Sequence, residues 1–513
     1  MSTLFDFTND STDKYGLEYQ RSLKHEVAIC EAFSNGITGS LSGVPWNFRF
    51  TEELELRATS NALSYSRGGT HTLNGQTLSL KVKTRNLNFA VRQSAVVSWN
   101  FMSHTITALV GEIVGGRAND KVRLRAMIPY SLKSSIRFEN HFSSNLHRAE
   151  AIDEQMCVCF HFGTNMCLFN GIRFEDGGIG WLAYLFQPSD KTQPNFLVVE
   201  SLGGVGYDRF QAVVRKTVSA VGFVTGTYAY GPMFIFGVST GRLVAYNGCM
   251  IAARNARYGL HSLNPYDYYA DRDLKPHIGD KIESKLQPII RSQFERLLTN
   301  LDDPAFAEFY YLFQDVMLSM KSAPASSRLV VYATCLEKGR VWVDQMAKVK
   351  DSSRASAPLL TKKVRQQIGK AIRAVLRTHG SQLDAKELAI VQKRLGGLYS
   401  PPNKDQLKAA YDYFGIVLTK RDEKLLNLRN SILHGVNVIK AKFDPKRPGG
   451  RYTDESERIC FGFHALIWRL IMAAIGYKGQ YRDVAEIDWR FRKNRTNGDK
   501  PMMKHVRIQN DAS

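Results

Sequence analysis

Three residues in the C-terminal half, Arg429, Asn430 and His434, have types and spacing suited to breaking a phosphodiester bond. They stand in the run Leu428-Arg429-Asn430-Ser431-Ile432-Leu433-His434-Gly435. When RNA is cleaved by its own 2′-hydroxyl, some group must move protons at that hydroxyl or at the leaving oxygen. The charge that builds on the phosphorane must also be neutralised. An imidazole titrates near neutrality and suits the first task. A guanidinium is permanently charged, and its planar fork matches phosphate oxygens, which suits the second. Asn430 precedes His434 by four residues, so on a helix the two share a face. Arg429 lies about 140° round the helix from His434. Either its long side chain reaches across, or a second copy of the helix completes the site.

The pattern alone does not select a site. An Arg followed five to seven residues later by a His recurs at Arg254/His261, Arg272/His277, Arg373/His379 and Arg458/His464. Requiring Asn after the Arg leaves only Arg429 and Arg254, and helical context separates these two. Arg254 precedes Gly259 in a strand-rich region. Arg429 lies in a periodic segment where Leu425, Leu426, Leu428, Ile432, Leu433 and Val436 supply a core face.

The elements that must hold such a motif change rhythm along the chain. Residues 1–270 read as strands. Leu80-Lys81-Val82-Lys83 alternates, the segment from Val96 to Phe101 is β-branched and aromatic, and residues 155–169 and 195–202 are similar. Gly68-Gly69, Asn74-Gly75, Asn170-Gly171 and Gly177-Gly178 signal turns. The expectation is an α+β protein whose β-rich N-terminal domain is sandwich- or barrel-like. Connecting helices fill 271–325, a helical bundle fills 326–480, and a basic tail fills 481–513. Helices are predicted near 282–299, 304–321, 327–349, 361–378, 383–396, 404–414, 421–439 and 455–476. Ile368, Ile372 and Val375 have the spacing of one buried face.

The formal net charge is +21, of which +17 falls in residues 271–513. Such a half attracts polyanions, because each cation that neutralises a phosphate releases counterions. Nucleic acid is the leading partner. Lys363, Lys370 and Arg377 recur every seven residues, with Arg373 beside them. Lys440, Lys442, Lys446, Arg447 and Arg451 follow the motif in a Pro/Gly-rich loop. Arg490, Arg492, Lys493 and Arg495 interleave with Trp489 and Phe491, a mixture suited to single-stranded RNA, where bases stack and phosphates pair.

Other chemistry has less support. Cys157, Cys159, His161 and Cys167 supply enough ligands for zinc, but such residues are more often buried strand positions, and no metal is expected. Gly203-Gly204-Val205-Gly206 lacks the third spaced glycine of a dinucleotide fingerprint, and there is no P-loop. The start, Met1-Ser-Thr-Leu-Phe-Asp-Phe, does not read as a secretory leader, so a cytoplasmic protein with mostly free cysteines is expected. The uncharged stretch 217–241 is interrupted by six glycines and prolines, and reads as buried strands joined by turns rather than a membrane span.

The motif resembles the HEPN superfamily, whose hallmark is Arg, a polar residue and then His near a helix terminus. The similarity is closer to the ApeA-type group of antiphage proteins, which place an Apea-like HEPN domain after a β-rich one. Gly415-Ile416 before a charged turn and the helix segment Ala333-Thr334-Cys335-Leu336-Glu337 resemble that group as well. The likeness spans roughly residues 300–480. Over 1–270 it rests on domain order and size. It implies a four- or five-helix bundle that dimerises, with two motif helices facing one another across a composite cleft. It implies a metal-independent endoribonuclease without a cofactor that leaves a 2′,3′-cyclic phosphate on host RNA, tRNA included, during phage infection. Glu337 would support the site by bonding Arg429 or His434, and the N-terminal domain would restrain the bundle or sense a phage-derived trigger.

Overall fold

A computed structural model describes residues 26, 28, 30, 37–41, 44–50, 55–59, 77–82, 85–100, 105–116, 123–130, 158–162, 165–169, 171–186, 195–229, 231–239, 242–251, 289–318, 323–350, 362–379, 384, 403–433, 453–482 and 503–505. The chain divides into two compact units, Met1–Thr299 and Asn300–Ser513. The first is β-rich and the second helical, so the protein is α+β.

The first unit contains strands β1 (Ile37–Leu41), β2 (Val44–Phe50), β3 (Glu55–Thr59), β4 (Thr77–Val82), β5 (Arg85–Asn100), β6 (Thr105–Gly116), β7 (Arg123–Pro129), β8 (Val158–Phe162), β9 (Asn165–Phe169), β10 (Gly171–Asp176), β11 (Ile179–Phe186), β12 (Phe196–Ser201), β13 (Gly231–Ser239) and β14 (Arg242–Ile251). Twelve of them form one antiparallel sheet in the order β1-β2-β3-β6-β14-β13-β7-β12-β11-β10, with β5 between β4 and β6. Strand β6 is the branch point. Its first part pairs with β3 and its second with β14, while β5 runs along the other edge. Beyond the branch, β1 comes back against β4. Strands β8 and β9 form a separate hairpin.

Among the side chains described in this unit, those of β10-β11-β12-β7-β13 are largely buried. Gly177 and Gly178 both have positive φ, 58° and 76°, which a two-residue hairpin between Asp176 and Ile179 requires. Helix α1 (Tyr207–Thr225) lies against β7 and β12 and ends at Gly226 in the left-handed region. Trp181 packs on Phe174 and Phe210, and Phe174 meets Phe294 edge-on. Buried charges are matched. Arg125 donates to Glu26 at 2.7 and 2.9 Å and to Glu200 at 3.1 Å, and Asp176 pairs with both Lys216 and Arg209. The uncharged stretch expected to be strands begins as helix. Residues 217–225 belong to α1, and only Gly231–Ser239 is a strand. Every residue from Lys216 to Thr225 is buried, so the segment shows no polar face and no helical period for the sequence to reveal.

Helix α2 (Arg291–Leu301) follows, and then α3 (Pro304–Leu318), α4 (Ala325–Lys350), α5 (Lys362–His379), α6 (Asn403–Tyr413), α7 (Lys420–Leu433) and α8 (Thr453–Ala474). Helix α4 is the centre of the second unit and contacts α3, α6, α7 and α8. Trp342 lies against Phe306, Phe309 and Phe414. A Cβ on Gly339 would sit 2.9 Å from the Phe309 ring and 3.1 Å from Leu470, so this glycine lets the neighbouring side chains approach α4 closely. A short antiparallel pair, β15 (Gln480–Arg482) with β16 (Met503–His505), completes the described elements.

Seven of the eight predicted helices appear, with ends shifted by a few residues, by nine at the start of 282–299. Of the eighth, 383–396, only Asp384 is described and it is not helical; the ends of 304–321 and 421–439 lie outside the described residues. The expectation of one buried face on α5 does not hold within the chain. Val375 is 60% exposed, and Ile368 and Ile372 are half-buried. Helical spacing sets which residues share a face but does not supply a neighbour to cover it.

Candidate active site

The start of α7 is firmly placed. Helix α6 ends at Gly415 (φ 66°), where the Ile416 amide bonds back to the Tyr411 carbonyl at 2.9 Å and Ile416 becomes buried. Four residues later Thr419 and Asp422 cap α7 reciprocally. The Asp422 amide donates to the Thr419 hydroxyl at 3.2 Å, and the Thr419 amide to the Asp422 carboxylate at 2.9 Å. Arg469 of α8, 2% exposed, donates to the same carboxylate at 2.9 Å and to the Val417 carbonyl at 2.8 Å. Its guanidinium also lies over the Tyr481 ring. Burial opposes the charge of Arg469, but Tyr481 and Asp422 together raise its pKa above the ordinary value.

Further along α7, Leu425, Leu426 and Ile432 are buried, Leu428 is half-buried and Leu433 is 36% exposed. Leu433 was expected in the core. The helix presents the side between Leu425 and Leu426 inward; Leu433 shares that side by helical angle but is the last described residue of α7 and is exposed there. Arg429 falls within that inward side and is 6% exposed. It is therefore a core arginine and not a solvated one.

Its charge is met by Glu337 of α4, which forms an ion pair with the Arg429 guanidinium. Glu337 also accepts two bonds from Arg340, at 3.1 Å from Nε and 2.8 Å from Nη2, and Arg340 Nη1 donates to Asp344 at 2.8 Å. Glu337, Arg340 and Asp344 follow at intervals of three and four, along one edge of α4 and opposite Gly339. The cluster is deep at Arg429 and opens towards solvent. The side chains of Arg429, Arg340, Asp344 and Glu337 are 7%, 16%, 25% and 26% exposed. Burial lowers the pKa of Arg429. Glu337 opposes that shift, and Arg340 adds to it. Burial raises the Asp344 carboxyl against the pull of Arg340 and Lys348.

Two sequence-predicted residues, Arg429 and Glu337, thus come together. Asn430 lies within α7, but its side chain is outside the described residues, as is all of His434. Lys370 and Arg377 are exposed on α5. The side chains of Lys363 and Arg373, and the loop residues Lys440, Lys442, Lys446 and Arg447, lie outside the described set, as do Arg451 and the basic cluster at 490–495. Arg340 and Asp344 were not singled out from the sequence, although their spacing from Glu337 was visible. Of the other Arg–His matches, Arg373/His379 lies in α5, and Arg458/His464 in α8 ends in the core. His464 is fully buried, with Nδ1 3.2 Å from the Tyr332 hydroxyl and its ring against Phe313.

Of the possible zinc ligands, Cys157 lies outside the described residues. The register pairs Cys159 with Leu168 and Phe160 with Cys167, so Cys167 alternates out of step with Cys159 and His161. Among the described residues no three His, Cys, Asp or Glu cluster as a metal site, and no helix is long and apolar enough to cross a membrane. No family model matches the chain, and no curated protein or solved structure shows detectable similarity to it.

Proposed function

We propose that this protein is a metal-independent endoribonuclease of the HEPN type that cuts host RNA, tRNA included, in antiphage defence. In this reading the cytoplasmic chain pairs with a second copy through its helical bundle, and the motif helices of the two copies form one cleft. The first unit, with its ring-like run of strands β1-β2-β3-β6-β5-β4, restrains the bundle or senses a phage-derived trigger. His434 moves the protons, Arg429 and its neighbours carry the phosphorane charge, and Asn430 orients the imidazole or the substrate.

One observation carries the reading: Arg429 lies in the inward side of α7, matched by Glu337 from α4. A core position favours an aliphatic residue, and burying a charge there is costly. A buried, paired arginine next to an asparagine and five residues before a histidine is better explained by chemistry than by packing. The residue set supplies proton transfer and charge neutralisation by itself, which supports metal independence. The depth of Arg429 also favours a second reading, in which the pair braces a non-catalytic RNA-binding or protein-interaction bundle.

Product chemistry separates the two. Incubated with tRNA in EDTA, an active HEPN nuclease leaves 5′-hydroxyl ends and 2′,3′-cyclic phosphates. Intact RNA bound in a salt-dependent manner supports the bracing reading instead.

A further inference from the structure

The deepest cation of the cluster is poorly placed to meet a phosphate, since the Arg429 side chain is only 7% exposed and faces Glu337. Arg340 is better placed. It is more exposed, at 16%, and lies between the two carboxylates, Glu337 and Asp344, that are themselves a quarter exposed. It shares the Glu337 carboxylate with Arg429, so two guanidiniums converge on one point. A guanidinium has five N–H donors. Arg340 uses Nε, one N–H of Nη2 and one of Nη1. Among the described residues the remaining N–H on each terminal nitrogen has no acceptor.

We propose that Arg340 is the guanidinium that takes a substrate phosphate, held in orientation by Glu337 and Asp344 and backed by Arg429. Two carboxylates fix the plane of the guanidinium and leave donors on both terminal nitrogens, an arrangement suited to two oxygens of one phosphate. Glu337 then positions two arginines at once, one inside the bundle and one at its surface. A structural ladder along α4 does not require this. Pairs spaced three or four apart on an exposed helix add little to stability. Nor does such a ladder require that its first carboxylate, Glu337, also reach another helix.

The inference rests on the ribonuclease reading, and the experiment distinguishes their failures. Full-length wild type, Arg340→Gln and Arg340→Lys are compared in cleavage of tRNA. Binding of a labelled single-stranded RNA is then measured across salt concentrations, with each variant placed in a His434→Ala background so that the RNA stays intact. Arg340→Gln is expected to lower kcat/KM by about 100- to 1000-fold, the range for losing one charge-stabilising donor. It should also make the slope of log affinity against log salt shallower by about 0.7, the value for one phosphate contact on a single strand. Arg340→Lys should restore the slope and not the rate, because a point charge does not reproduce the fork. Thermal midpoints should move little in either variant. If wild type cuts and Arg340→Gln matches it in rate and salt slope, Arg340 is structural and the inference is wrong. The same holds if Arg340→Gln loses activity only in proportion to a lost melting transition while Arg340→Lys is fully active. If wild type neither cuts nor binds RNA, the ribonuclease reading fails and takes this inference with it.

Discussion

Replacing Glu337 by Gln keeps the shape of the side chain and removes the charge facing two guanidiniums. Arg340 retains Asp344 at 2.8 Å. Arg429 is 6% exposed and would become a buried cation without its carboxylate partner. Removing one partner of a fully buried ion pair costs about 3–5 kcal/mol. Glu337 is 26% exposed, so water screens part of the interaction, and about 2–3 kcal/mol is expected here. For a unit of roughly 200 residues that corresponds to a fall in melting temperature of about 4–12 °C. Arg429→Met should cost less, about 1–2 kcal/mol, because Glu337 keeps Arg340 and remains partly hydrated. The double variant should then be about as stable as Arg429→Met alone, a coupling of about 2 kcal/mol. The assay is urea unfolding followed by a helix-sensitive signal, assigning the transition of the helical unit separately from that of the β-rich unit. A loss below about 0.5 kcal/mol for Glu337→Gln would refute the reasoning, as would single losses that simply add.

Other consequences are equally open to measurement. Asp422 caps α7 and accepts from buried Arg469, so Asp422→Ala should destabilise the helical unit by about 3 kcal/mol in urea, and a loss under about 1 would contradict the assigned role. Gly339→Ala should destabilise despite a gain of about 1 kcal/mol in helix propensity, because the added carbon meets the Phe309 ring at 2.9 Å; an unchanged or higher melting temperature contradicts this. Burial raises Cys460 from 9.0 to about 12 and pushes Cys335 well above its ordinary range. Above pH 9.0 the unfolded chain therefore gives up protons that the folded one keeps, and stability should fall by about 1.4 kcal/mol per pH unit for each thiol until its folded pKa is reached. Iodoacetamide at pH 8 followed by peptide mapping should leave both cysteines unmodified in native protein and label both in denaturant.

The helices of the second unit were legible because most are amphipathic, and amphipathicity survives in a linear pattern. The second half of helix α1 was not, since a segment buried on all sides, as Lys216–Thr225 is, has no polar phase. The motif at Arg429 was legible as a set of residue types. Its depth was not, because an arginine surrounded by leucines reads as the polar edge of a helix until a carboxylate on another helix is found. Glu337 came into view through resemblance. Arg340 and Asp344 did not, although they stand three and seven residues beyond it, because charges at such spacing on a helix are common and only the tertiary contact with Arg429 distinguishes these. The branching of the sheet at β6 had no local signal, since strand pairing between distant segments is decided by contacts the alternation of residues does not encode.

The most direct test of the central claim compares wild type with His434→Ala and Arg429→Lys on purified tRNA and total cellular RNA, with EDTA throughout. Cleavage by wild type, its loss in His434→Ala and a fall of at least about 100-fold in Arg429→Lys are expected if the imidazole moves the protons and Arg429, through the carboxylate it shares with Arg340, holds the cation cluster that meets the phosphorane. Equal cleavage by wild type and His434→Ala, or RNA left intact by wild type even with infected-cell lysate added, would contradict it.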